Sequence, residues 1–216
     1  MKKIILFITF SVFCINFYGQ EKNYLSTEFD VNYNYCFTGN NTHNNFSYGF
    51  SLLVSEYINK IKISAGINYS RLYYDYNMED LFYSIKKREY KLEYLKFPVI
   101  SSFKIFSGNR TSISILTGFV FSSVIGYSIK PYYLNGKTIT ENDLLGQRQL
   151  GVSWLLGITF SKMLDNKLLL NISPFFNYPI IPNGRNQIPG YNNIPNYISL
   201  GAKIGIEYLF KDYNSE

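Results

Sequence analysis

Charge is scarce in this chain of 216 residues: Asp, Glu, Lys and Arg together make up 17% of it, against about a quarter in soluble domains. Histidine occurs once, at His43, and cysteine twice, at Cys14 and Cys36. Beyond the first twenty residues no long apolar run appears, and mean hydropathy is only −0.08. Each shortage excludes something. Without repeated runs of about 20 apolar residues the chain is not a polytopic helical membrane protein. One histidine and two cysteines supply no ligand set for a metal centre. No paired catalytic carboxylates, nucleophile elbow or glycine-rich phosphate loop is found. The net charge of +6 does not make a nucleic-acid patch: basic residues cluster only at Lys86-Lys87-Arg88, a pattern that reads as solvated loop charge.

What is abundant is aromatic side chain, with 21 Tyr and 18 Phe. The N-terminus also carries a clear signal. Lys2 and Lys3 precede an apolar run from Ile4 to Phe17, followed by Tyr18-Gly19-Gln20. That is the form of a cleaved secretory signal peptide, residues 1–19 with the cut at about 19/20, leaving residues 20–216 as one domain. Cys14 lies inside the apolar run and Phe13 precedes it, so it reads as an ordinary leader residue rather than a lipoprotein cysteine. The exported part then keeps Cys36 alone and can form no internal disulfide.

Past the leader, period-2 alternation recurs. Leu25, Thr27, Phe29, Val31, Tyr33, Tyr35 and Phe37 alternate with Ser26, Glu28, Asp30, Asn32, Asn34 and Cys36. Successive strand side chains point to opposite faces, so this is one apolar and one polar surface. The pattern returns at about 46–55, 61–70, 90–104, 113–126, 150–161, 168–178 and 198–210, predicting eight strands. Pro98 falls within the fourth and predicts a bulge or bend there, because proline cannot donate to a ladder. The connections alternate too. Short ones follow strands two, four and six. Longer ones follow strand one, where His43 lies, and occupy 75–89, 128–148 and 179–196.

Alternation alone does not separate a barrel in lipid from a soluble sheet. The second face does. It is mostly Ser, Gly and Asn, as in the second strand, where Ser47, Gly49, Ser51 and Ser55 oppose Phe46, Tyr48, Phe50, Leu52 and Val54. Small residues suit the crowded inside of an eight-stranded barrel. Inward charges such as Glu28, Asp30, Lys62, Lys203 and Glu207 would pair with one another there. Tyr33, Tyr35, Tyr48, Tyr69, Tyr73, Tyr127 and Tyr208 fall near strand ends, at the level an aromatic girdle would occupy. The expectation is an all-β fold: an eight-stranded antiparallel up-and-down transmembrane β-barrel with short periplasmic turns and long extracellular loops. Strand eight closes on strand one, since hydrocarbon tolerates no open sheet edge.

The segment Tyr94-Leu95-Lys96-Phe97-Pro98-Val99-Ile100 resembles the YLEIPLL signature of the PorT-like outer-membrane β-barrel family, with Lys96 in place of an acidic residue and Phe97 in place of an aliphatic one. The later strands around Gly118 and between Gly151 and Gly157, and the leader ending in Gly19-Gln20, are also similar. The resemblance implies an integral outer-membrane barrel and no single activity. The last strand resembles the recognition signal of barrel-assembly substrates through Lys203, Gly205, Tyr208 and Phe210, which implies insertion by the assembly machinery, although Lys211 to Glu216 follow.

The function expected is therefore non-enzymatic: a structural or surface-binding barrel of the cell outer membrane. Its partners are outer-membrane lipid, the assembly machinery during insertion and no nucleic acid. No catalytic, cofactor-binding or metal residue is assigned. One alternative is an accessory of transport or protein secretion, since eight strands leave no open aqueous channel. The other is a lipid-modifying enzyme built on His43 with Ser47 and Glu56, which nothing in the sequence places together.

Overall fold

The computed structural model describes residues 24–37, 42–58, 60–80, 85–133, 141–143, 150–181 and 198–210. The predicted leader and the tail 211–216 lie outside them. Nine strands are present among the described residues: β1 (Tyr24–Phe37), β2 (Thr42–Ile58), β3 (Ile61–Asp80), β4 (Ile85–Ser107), β5 (Thr111–Tyr133), β6 (Glu141–Asp143), β7 (Leu150–Asp165), β8 (Leu168–Ile181) and β9 (Ile198–Leu209). Eight of them form a closed antiparallel barrel in the cyclic order β1-β2-β3-β4-β5-β7-β8-β9. The closing seam pairs β9 with β1 from Ser26↔Leu209 to Phe37↔Ile198. The ninth strand, β6, is a short ribbon on the upper part of β5, opposite residues 127–129.

Short turns join β2 to β3, β4 to β5 and β7 to β8, all at one end of the barrel, here the turn end. At the β4–β5 turn the Gly108 amide donates to the Thr111 carbonyl at 2.8 Å. At the β7–β8 turn the Asn166 amide donates to Asp165 Oδ1 at 2.7 Å. Neighbouring hairpins are tied together by Lys104 N to Lys60 O at 2.9 Å and by Leu209 N to Lys167 O at 2.8 Å. The opposite end is the loop end.

Four expectations need correction. First, the strands are longer than the alternation marked. β3 runs to Asp80 and β4 starts at Ile85, so most of the predicted loop 75–89 is a hairpin arm. β5 extends to Tyr133 into the predicted loop 128–148, and β8 to Ile181 into the predicted loop 179–196. Second, His43 is not in a loop: it belongs to β2, where its backbone is paired opposite Asp75. A hairpin arm needs only main-chain hydrogen bonds, so polar residues there carry no apolar alternation to reveal it.

Third, of the bulge or bend expected at Pro98, the register shows no bulge. Pro98 keeps its register on both sides, opposite Val120 on β5. On β3 the ladder goes from Ala65↔Val99 to Asn68↔Lys96 in the same register, with the pairs between them missing. The lost donor interrupts the ladder without adding a residue. The bulges lie elsewhere. Glu93↔Gly126 is followed by Tyr94↔Val124, which leaves Ile125 as an extra residue on β5. An extra residue reverses which face the following side chains take. So Gly126, assigned by alternation to the inner face, stands on the outer side opposite Glu93.

Fourth, the interior, expected to be mostly Ser, Gly and Asn, carries a large apolar share as well. Leu53, Leu72, Leu92, Tyr94, Ile100, Leu116, Val120, Val124, Leu169 and Leu209 are buried inside it. Small residues allow the tight curvature around them. At inward Gly118 an added Cβ would fall against the Val99 carbonyl and 2.7 Å from the Ile100 Cα.

Candidate functional site

The interior carries the densest polar chemistry among the described residues. Near the turn end, β9 places Glu207 inward, where it is 1% exposed. Its carboxylate accepts four hydrogen bonds. Oε1 takes the Ser26 hydroxyl and the Tyr57 hydroxyl, the latter at 2.8 Å. Oε2 takes Lys62 Nζ at 2.7 Å and Asn171 Nδ2 at 2.9 Å. A carboxylate has about four acceptor positions, so this one is saturated. Lys62 also donates to Glu28 Oε2 at 2.8 Å. Lys203 Nζ lies 3.6 Å from Glu28 Oε1. Two cations thus face two buried anions, contributed by β1, β3 and β9. That pairing is the one expected of Glu28, Lys62, Lys203 and Glu207. The side chain of Asp30 lies outside the described residues.

Two cavities flank an apolar layer. One, of about 60 Å³ at the turn end, is lined by Glu28, Tyr57, Lys62, Lys104, Arg110 and Lys203 among others. The second, of about 70 Å³, is lined by Ser47, Asn68, Lys96, Asn177, Ser199 and Lys203 among others. Leu53, Ile100 and Leu116 line both. Each cavity has room for a few waters. Among the described residues the interior is therefore a packed and ion-paired core rather than an open passage, as eight strands require. Lys96 belongs to this core, with its ammonium 5.4 Å from the centre of the Tyr94 ring.

The outer surface has the opposite chemistry. Phe29, Val31, Phe50, Leu52, Ile67, Phe119, Ile158, Leu200, Ile204 and Ile206 are all exposed on it. On β3 the outward positions 61, 63, 65, 67 and 69 read Ile, Ile, Ala, Ile and Tyr; on β4 positions 95–103 read Leu, Phe, Val, Ser and Phe. No outward position in these middle stretches is charged. Outward charge begins toward the loop end, at Arg71 on β3 and at Lys91 and Glu93 on β4, next to stacked rings. Phe46 and Tyr73 stack at 5.2 Å between centroids, and Tyr48 and Tyr73 at 5.9 Å. Tyr33, Tyr35, Tyr48 and Tyr208 are exposed on the same surface. The side chain of Tyr127 lies outside the described residues.

The residues considered for lipid-modifying catalysis are not assembled. Ser47 is buried inside the barrel. Glu56 is nine residues further along β2 on the outward register, about 30 Å away at the rise of an extended strand. The side chain of His43 is not described. Cys36 likewise has no described side chain. No group of three or more His, Cys, Asp and Glu that could hold a metal is found among the described residues. In the last strand, Tyr208 and Phe210 face outward, while Lys203 and Gly205 face inward. The strand itself ends at Leu209, one residue before Phe210.

The sequence showed the four lumen charges but not their neutral partners. Ser26, Tyr57 and Asn171 converge on Glu207 only through strand register. Alternation does put all three on the inner face, which is the one signal that marked them.

No protein-family model and no curated protein matches this sequence. Solved structures similar to it include Neisserial surface protein A, 15% identical with a TM-score of 0.48, covering 87% of this chain and 99% of that one. Another is Ail, the attachment invasion locus protein of Yersinia pestis, in complex with the heparin analogue sucrose octasulfate: 11% identical, TM-score 0.44, covering 88% and 100%. A third is the N-terminal β-barrel domain of Pseudomonas aeruginosa OprF, at 10% identity and a TM-score of 0.46, covering 88% and 100%. At these values the likenesses carry no functional argument.

Proposed function

We propose that this chain is an integral outer-membrane β-barrel of PorT-like type, sealed to solutes and non-enzymatic, with structural or surface-binding work done at its loop end. The observation that carries this reading is the continuous uncharged apolar outer surface. In water such a surface far exceeds the few hundred Å² that soluble monomers expose; hydrocarbon solvates it at no cost. The inner face takes the place of a core, so the barrel has no other use for an apolar exterior. The turn end then faces the periplasm and the longer connections face outward. Lys203, Gly205, Tyr208 and Phe210 on the closing strand serve as the signal for assisted insertion.

The single tryptophan tests the membrane reading. Trp154 is outward and 37% exposed in mid-strand, with its Nε1 donating to Thr117 Oγ1 at 2.9 Å. In vesicles, its fluorescence should be quenched by lipids brominated on their acyl chains and be insensitive to aqueous iodide. Quenching by iodide alone would overturn the proposal.

A further inference from the structure

On β3 the outward uncharged run from Ile61 to Tyr69 rises about 26 Å along the strand, or about 20 Å along the axis at the usual tilt of about 40°. Arg71 is the next outward residue. It therefore stands where an apolar band about 25 Å tall gives way to headgroups. Across the ladder its register partner is Glu93, and Tyr73 is opposite Lys91. Arg71 Nε and Lys91 Nζ each lie 3.2 Å from the same oxygen, Glu93 Oε1. One carboxylate thus holds two cations at a fixed spacing.

The surroundings give this trio a shape. On the β2 side it is walled by the stacked rings of Phe46, Tyr48 and Tyr73. The Tyr69 hydroxyl accepts from Arg71 Nε at 2.8 Å and fixes the guanidinium. On the β5 side the nearest outward residues are small. The bulge at Ile125 brings Gly126 opposite Glu93 and Ser128 opposite Lys91. A Cβ on Gly126 would come within 3.3 Å of Glu93 Oε2. Strand β5 therefore presents its smallest outward residues beside the charges. The result is a notch with an aromatic wall, two cations and small β5 residues beside them, at headgroup depth.

We propose that this notch of Arg71, Lys91 and Glu93 is a docking site for a phosphorylated lipid headgroup in the outer leaflet. Arg71, held by the hydroxyls of Tyr69, Tyr48 and Tyr73, brings a positioned guanidinium charge with further N–H groups for phosphate, and Lys91 adds a compact point charge. The stacked tyrosines flank the sugar or glycerol part of the headgroup. The site rests on the membrane reading, since only a barrel in a bilayer carries Arg71 to that depth.

The test uses the full chain in phosphatidylcholine vesicles with a minority of lipid A in bis-phosphoryl or dephosphorylated form, and native mass spectrometry to count retained lipid. A cation near a membrane surface contributes about 1 kcal/mol, so Arg71→Gln and Lys91→Gln should each weaken retention of the bis-phosphoryl lipid about five-fold, and the pair about 25-fold. Lys162→Gln, outward at the turn end, should leave it unchanged. Equal retention of the two lipid forms, or of the phosphorylated form by wild type and the double variant, overturns the site. So does displacement of the lipid by inorganic phosphate at similar concentration, which would mark a site for a free anion. Failure to insert into plain phosphatidylcholine overturns the membrane reading as well, whereas insertion without phosphate-dependent retention overturns the headgroup site alone.

Discussion

Replacing Lys62 by Met probes the lumen most directly. Methionine keeps much of the lysine stem, so the packing change is small. What is lost are two charge-assisted hydrogen bonds, at 2.8 Å to Glu28 and 2.7 Å to Glu207. Each such bond contributes about 1.5–3 kcal/mol. The carboxylates left behind are only 3% and 1% exposed. Glu28 keeps Lys203 at 3.6 Å, and Glu207 keeps the donors Ser26, Tyr57 and Asn171. Removing one partner of a buried pair costs about 3–5 kcal/mol because the other charge remains. Both routes give the same size of effect. Urea unfolding in phosphatidylcholine vesicles, followed by Trp154 fluorescence, should show a loss of about 3–5 kcal/mol for Lys62→Met. Adding Glu28→Gln removes one stranded charge and should restore a sizeable part of it. A loss below about 1 kcal/mol, or a double variant no more stable than the single, refutes the reasoning, because the network would then be hydrated enough to need no counter-charge.

Three further outcomes follow from the geometry. Gly118→Ala drives a methyl into the β4 backbone at Val99 and Ile100; overpacking of this kind costs about 1–3 kcal/mol, and a heat-modifiable gel shift should move to lower temperature. Ile204→Lys, in the middle of the outward face of β9, should cost about 2–4 kcal/mol in vesicle unfolding, while Phe210→Lys at the turn end should cost about 0–1; equal costs would remove the depth dependence that a bilayer imposes. In planar bilayers the wild-type barrel should give no stable single-channel steps, since Leu53, Ile100 and Leu116, buried in the lumen, line both cavities; sustained conductance would contradict the proposed sealed lumen.

Much of the barrel was legible before the structure. Residues such as Phe29 and Val31, or Ile204 and Ile206, must share a face because a strand repeats every two residues. The turns at Ser107-Gly108-Asn109-Arg110 and Asp165-Asn166-Lys167 separate the runs cleanly. The hairpin arms beyond Tyr73 on β3 and Ser128 on β5 were not legible. Outside an apolar medium neither face must be apolar, so the periodicity vanishes while the main-chain ladder continues. The bulge at Ile125 was hidden for a related reason. Ile125, Gly126 and Tyr127 fit an unbroken alternation equally well, and only the partner strand reveals the extra residue.

The sequence by itself determined the face each residue takes within an unbulged run, the strand count of the closed barrel and the inward placement of Glu28, Lys62, Lys203 and Glu207. Those are local properties, written at a separation of two residues. Tertiary structure decided which of them meet. Ser26, Tyr57, Lys62 and Asn171 reach Glu207 across up to 181 residues of chain, and Arg71, Lys91 and Gly126 meet around Glu93 only because register and one extra residue on β5 put them there. Register depends on pairing between strands, so no single strand encodes it.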